Sequence, residues 1–159
     1  MTFTITGLPA DEFKHLYGLS DEELKKHGSI RYVVNEKPGF PDRIEMREGE
    51  IGETMLLVNH FHQPAQTPYR GSHAIFVREG ATHTYSSVNL VPEVMLTRML
   101  SLRAFDREDM MLDADVVEGK QITPLIERFF SNENVHYIHV HNAKRGCFSG
   151  RIDRLTKLM

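Results

Sequence analysis

A single cysteine, Cys147, stands in the chain, so no internal disulfide can form and a reducing, cytoplasmic setting is expected. Long apolar runs are missing too. The best of them, Met55–Val58, is far short of a membrane-spanning helix, so no membrane partner is expected. The opening MTFTITGLPADEF lacks the basic segment and long apolar core of a secretory signal. Charge of one sign is not in excess: 19 Lys and Arg stand interspersed with 22 Asp and Glu, for a net −3. Without a basic stripe to follow a phosphate backbone, nucleic acid is not an expected partner. The familiar binding and catalytic loops are also missing. Gly49-Glu-Ile-Gly52 and Gly146–Gly150 lack phosphate-loop spacing, and Asp106–Asp109 lacks calcium-loop spacing. Neither a G-x-S-x-G elbow nor an H-E-x-x-H helix occurs, and no repeat or linker divides the chain.

What is there reads as one soluble domain spanning residues 1–159, since 40% hydrophobic and 26% charged residues are enough to build a core. Alternating or β-branched runs predict strands at Thr2–Thr6, Ile30–Val34, Arg43–Met46, Thr54–His62, His73–Arg78, His83–Val88, Leu100–Phe105 and Met110–Val117. The unbroken apolar stretch in Thr54–His62 predicts cover on both faces of that strand. Pro9 opens a helix carrying Phe13 and Leu16, and Gly18 stops it. Ser20-Asp-Glu-Glu23 is a capping box for a second helix that Gly28 can close. Pro92–Met99 offers one or two helical turns. Thr123-Pro124 starts a last helix with Leu125, Ile126, Phe129 and Phe130 on its buried side. Short strands with two or three short helices give an α+β class, with a mostly antiparallel, curved sheet.

The most informative stretch is VHYIHVHNAKRGCFSGRID, Val135–Asp153, where two alternating runs flank Asn-Ala-Lys-Arg-Gly. Folding them as a hairpin sets His141 opposite Cys147, His139 opposite Ser149 and Tyr137 opposite Arg151. The other face carries Ile138 and Val140 against Phe148 and Ile152 and belongs to a core. Opposed side chains lie about 4.5–5.5 Å apart at Cβ, so the polar face is a candidate site.

The segments Pro38-Gly-Phe-Pro41, His62-Gln-Pro-Ala65, Pro68-Tyr-Arg70, Ile75–Gly80, Leu100–Asp106, His139–Ala143, Gly146-Cys147 and Arg151–Arg154 occur in this order over nearly the whole chain. Together they resemble an uncharacterised bacterial family, domain of unknown function 1203. The resemblance implies a single-domain bacterial protein and implies no activity. The family pattern has tyrosine where this chain has His60, which counts against that histidine as a ligand.

Three chemistries can be read from these residues. His139-x-His141 points two imidazoles to one face, and His60 or His62 could add a third, Cys147 a thiolate, or Asp113 and Asp115 a carboxylate. Such a set suits zinc or iron, and with carboxylate also manganese. Alternatively, Cys147 beside His141 could act as a nucleophile held as thiolate. Thirdly, the face could bind a small polar or anionic ligand, with Arg151 as anchor, His139 as hydrogen-bonding group, and Tyr137, Tyr69 and Arg70 lining the pocket. Arg78 and Arg103 could also bind a carboxylate or phosphate, although each reads more simply as a structural ion pair with Asp113, Asp115 or Glu79. The leading expectation is small-ligand binding in a cleft on the C-terminal hairpin. Metal or thiol enzyme chemistry, a structural or interaction role, and a homo-oligomer stand as alternatives.

Overall fold

The structure, a computed structural model, describes residues 2–155. Its strands are β1 (Phe3–Thr6), β2 (Ile30–Val33), β3 (Thr54–Gln63), β4 (Gly71–Arg78), β5 (Ser86–Val88), β6 (Met99–Phe105), β7 (Met111–Glu118), β8 (Tyr137–Asn142) and β9 (Phe148–Arg154). The helices are α1 (Asp21–Lys26), α2 (Glu93–Leu96) and α3 (Ile122–Phe130). Every strand pairing is antiparallel, in a six-stranded sheet ordered β5-β1-β9-β8-β6-β7 and a three-stranded sheet ordered β2-β3-β4. The expected α+β class is what the chain adopts. Among the described residues no helix is long and apolar enough to cross a membrane.

The alternation of β6, β8 and β9 divides two cores. Leu100, Leu102, Ala104, Ile138, Val140 and Ile152 point to one side, where α3 covers them with Ile122, Leu125, Ile126, Phe129 and Phe130. On the other side the three-stranded sheet closes over the hairpin, with Leu56, Val58, Ile75 and Val77 in one cluster with Phe148 and Cys147. Both faces of β8 are therefore covered, and the polar face expected to carry the site lies between the two sheets. Each fully buried Leu, Ile or Phe contributes about 1.5–3 kcal/mol, so these two layers dominate stability.

Local signals explain most elements. The Ser20 hydroxyl accepts from the Glu23 amide at 3.2 Å, as its position before α1 requires. Gly28 closes that helix at φ 70°. Three expectations need correction. The helix at Pro9 is two 3-10 turns, Ala10–Glu12 and Lys14–Leu16. The strand at Arg43–Met46 is a turn instead: the Asp42 carboxylate accepts from the amides of Ile44, Glu45 and Arg78, replacing ladder bonds, and Met46 bends the chain at φ 55°. Thr123 is not a cap, because α3 begins at Ile122 directly after a 3-10 turn, Gly119–Gln121.

Candidate functional site

The hairpin register departs from the expected one, and the difference builds the site. The Asn142 amide donates to the Cys147 carbonyl at 2.8 Å, so the connection from His141 to its partner is one residue longer than expected and His141 faces Phe148 instead of Cys147. Ser149 is then an extra residue in a bulge, after which His139 faces Arg151 and Tyr137 faces Asp153. The first slip turns Phe148 onto the histidine face, and the bulge restores Arg151 to that face and Ile152 to the α3 side. Only a strand with a bulge can place Phe148 and Ile152 in different cores.

Phe148 carries the second sheet's histidines. The His62 ring stacks parallel to it at 6.2 Å, while His139 and His141 meet it edge-on at 5.3 and 5.7 Å. His62 and His141 stand perpendicular at 4.7 Å between ring centroids. One nitrogen from each of His62, His139 and His141 lies within 4.8 Å of the others. Ligands on tetrahedral zinc sit about 3.4 Å apart, given bonds near 2.0–2.1 Å, so small side-chain rotations close the set. His141 donates from Nδ1 to the Gly146 carbonyl at 2.9 Å, so its lone pair sits on Nε2, which Arg103 Nη1 approaches only at 3.5 Å. Nδ1 of His62 and Nδ1 of His139 are buried without a hydrogen-bond partner. Each such orphan costs about 1–3 kcal/mol while it stays without a partner.

The three imidazoles are held neutral, the form that binds metal. Burial is the first cause in each case. It lowers His62 to about 4, helped by the Arg103 charge. His139 falls to about 2, with His141 and Arg151 adding to burial. His141 falls to about 3, although its bond to the Gly146 carbonyl works the other way.

A cavity of about 300 Å³ adjoins the trio, lined by His62, His139, Gln63, Tyr137, Asp109 and Arg151 together with Pro64 and Ala65. The Tyr137 hydroxyl accepts from Gln63 Nε2 at 2.8 Å and donates to Asp109 Oδ1 at 2.6 Å. Burial and that carboxylate push the phenol up to about 12, so it keeps its proton. Asp109 reaches this position from a backbone at φ 62°, uncommon for a non-glycine residue.

The remaining candidates fall into two groups. Arg151 lies over the Tyr137 ring at 4.1 Å and pairs with Asp153 at 2.9 Å, so its charge is largely answered. Tyr69 packs edge-on to Phe105, and Arg70 sits over Phe61 and bonds the Pro64 carbonyl, at the rim and away from the trio. Cys147 is buried, and its Sγ is contacted by Arg43 Nη2 at 3.0 Å and Asn142 Nδ2 at 3.5 Å, not by an imidazole. His60 faces the same crevice against Phe13 and Phe148 but stands outside the trio. Asp113 and Asp115 pair with Ala104 and Leu102, on the α3 side of the sheet, where Arg128 holds Asp115 at 2.7 Å. They cannot reach the histidines. Arg78 pairs with Glu45, and Glu79 pairs with Arg31.

Sequence reading passed over Gln63 and Asp109 as site residues and took Arg103 for a structural pair. Arg103 faces His139 across β6 and β8, and its Nη1 lies 3.5 Å from His141 Nε2. The available signal was the alternation of Ser101, Arg103 and Phe105 against the core residues Leu100, Leu102 and Ala104.

Fold and crevice together define a two-sheet α+β protein whose candidate site is a triple-histidine cluster between the sheets. The chain belongs to the family described as Protein of unknown function (DUF1203), whose model matches residues 39–154, a span that holds every residue of the site. No curated protein and no solved structure matches the chain.

Proposed function

We propose that the protein binds a divalent transition-metal ion through His62, His139 and His141 and receives a small polar or anionic molecule in the adjoining cavity. The observation that carries this reading is the convergence of three neutral imidazoles, two of them with an orphaned buried nitrogen. Three neutral nitrogen donors suit zinc, and imidazole also takes iron. Three protein ligands leave coordination positions for water or substrate, and a metal there would supply Lewis acidity or an activated water. The chain's own contribution is positioning. Gly146 orients His141, Phe148 spaces the three rings, and Tyr137 presents a fixed hydroxyl backed by Asp109. A buried, unpaired Cys147 is consistent with a reducing cytoplasm. The contacts of Cys147 with Arg43 and Asn142 give no support to thiol catalysis.

The test is elemental analysis of protein purified in metal-free buffer without a histidine tag. Near-stoichiometric zinc or iron is expected in the parent chain and in Cys147→Ser. It is expected to be lost in His62→Ala and in His141→Ala. A parent protein that arrives without metal and takes up neither zinc nor iron(II) on titration would refute the reading.

A further inference from the structure

Arg103 is the one part of the crevice whose charge is unanswered. It is half-buried, and no carboxylate lies within ion-pair distance of it among the described residues. Of the five N–H donors of a guanidinium, only two meet an acceptor among the described residues, and both contacts are long: Ser101 Oγ at 3.4 Å and His141 Nε2 at 3.5 Å. Its neighbours across the strands are His139 on β8 and Ala114 on β7, and neither supplies an anion. A cation placed this way wants an anion, and the described residues offer none. The contrast with Arg151 is direct. The two guanidinia flank His139 in one row across β6, β8 and β9, yet Arg151 is neutralised by Asp153 and Arg103 is not.

Resting on the metal reading above, we infer that the ligand is a small carboxylic acid whose carboxylate is held between Arg103 and the trio-bound metal and whose other end carries a hydrogen-bond donor directed at Asp109. A guanidinium fork matches a carboxylate through two parallel N–H···O bonds. A single unanswered guanidinium beside a divalent ion suits a monoanionic head. Phosphate, a dianion with more acceptor oxygens, would find no second free arginine and would face Asp109 in the cavity wall. Asp109 uses only Oδ1 in its bond with Tyr137, which leaves Oδ2 to accept from a hydroxyl or an ammonium group. At about 300 Å³ the cavity, which Arg103 adjoins across His139 without lining it, is at the small end of ordinary ligand pockets, which limits the ligand to a few carbons.

Glycolate, acetate and inorganic phosphate serve as probes on cobalt(II)-loaded full-length protein, followed by the visible absorption of the metal. Glycolate is expected to shift the spectrum and to bind more tightly than acetate or phosphate. Arg103→Gln should retain cobalt and weaken glycolate about ten- to a hundredfold, the range for a lost charge-assisted pair. Arg103→Lys, which keeps the charge without the fork, should recover part of that loss. Asp109→Asn should erase the preference for glycolate over acetate without loss of cobalt. Equal glycolate affinity in the parent and in Arg103→Gln, or a tenfold preference for phosphate, would overturn the inference. If the parent takes up no cobalt, the metal reading fails by itself. Calorimetry of metal-free protein with glycolate then decides the anion site: Arg103-dependent binding upholds it, and absence of binding removes it.

Discussion

Replacing Glu79 by glutamine probes a polar hub that ties β2 and β3 of the three-stranded sheet to the turn at Gly18. Glu79 Oε1 accepts from Arg31 Nε at 2.9 Å and from the Thr54 hydroxyl at 2.9 Å. Oε2 accepts from Arg31 Nη2 at 2.7 Å and from the Gly18 amide at 2.9 Å. The Arg31 fork is the main reason that this carboxyl sits at about 2 instead of 4.5, with burial opposing it. Both side chains are well shielded, at 14% exposure for Glu79 and 22% for Arg31, so screening removes little. Linkage turns that lowering into about 3 kcal/mol of stability at neutral pH. The folded value lies below the unfolded one. The contribution is therefore complete well above pH 4.5, declines as pH falls through that value, and is gone near pH 2. For a chain of this size about 3 kcal/mol corresponds to roughly 6–12 °C in Tm. Thermal melts of the parent and Glu79→Gln at intervals from pH 7 to pH 2.5 should show a gap of this size that closes as acid is added. Glu53, held at about 2 chiefly by Arg47, acts the same way in both proteins and cancels in the difference. A gap that stays constant across the range, or no gap at pH 7, would refute the charge-based account.

Other perturbations follow from packing. Gly119→Ala would put a Cβ 1.8 Å from the Met95 carbonyl oxygen, so a loss of about 1–3 kcal/mol or more is expected in the urea midpoint. An unchanged midpoint would mean that this approach is looser than described. Phe148→Ala removes the ring between the two sheets and should cost about 3–5 kcal/mol, while zinc uptake falls because His62 loses its stacking partner. Cys147 is 8% exposed and capped by Arg43 and Asn142, so it should react with an aromatic disulfide only slowly in native protein and at once in denaturant. Rapid, selective labelling of the native protein would reopen the thiol reading.

Much of the fold is written in local pattern. Period-two alternation put His139 and His141 on one face and Ile138, Val140 and Ile152 on the other, because side-chain direction in a strand follows from the backbone alone. The Ser20 cap and the apolar side of α3 are equally local, each depending on residues within one or two helical turns. Register was not local in this sense. A connection from His141 to its partner longer by one residue and a bulge at Ser149 differ by small backbone energies from the simpler pairing, and what selects them is the need to bury Phe148 beneath the second sheet. The third histidine was even less legible. His60 and His62 share a strand face, and both were plausible partners until the sheets packed and brought only His62 into the trio. Arg103 shows the same limit in charge: whether an arginine is paired depends on which carboxylates the folded chain brings near it. The sequence by itself determined most of the elements, the apolar face of β8 and the His-x-His pair. Tertiary packing alone decided the register, the third imidazole and the unanswered guanidinium, because each depends on contacts between segments tens of residues apart.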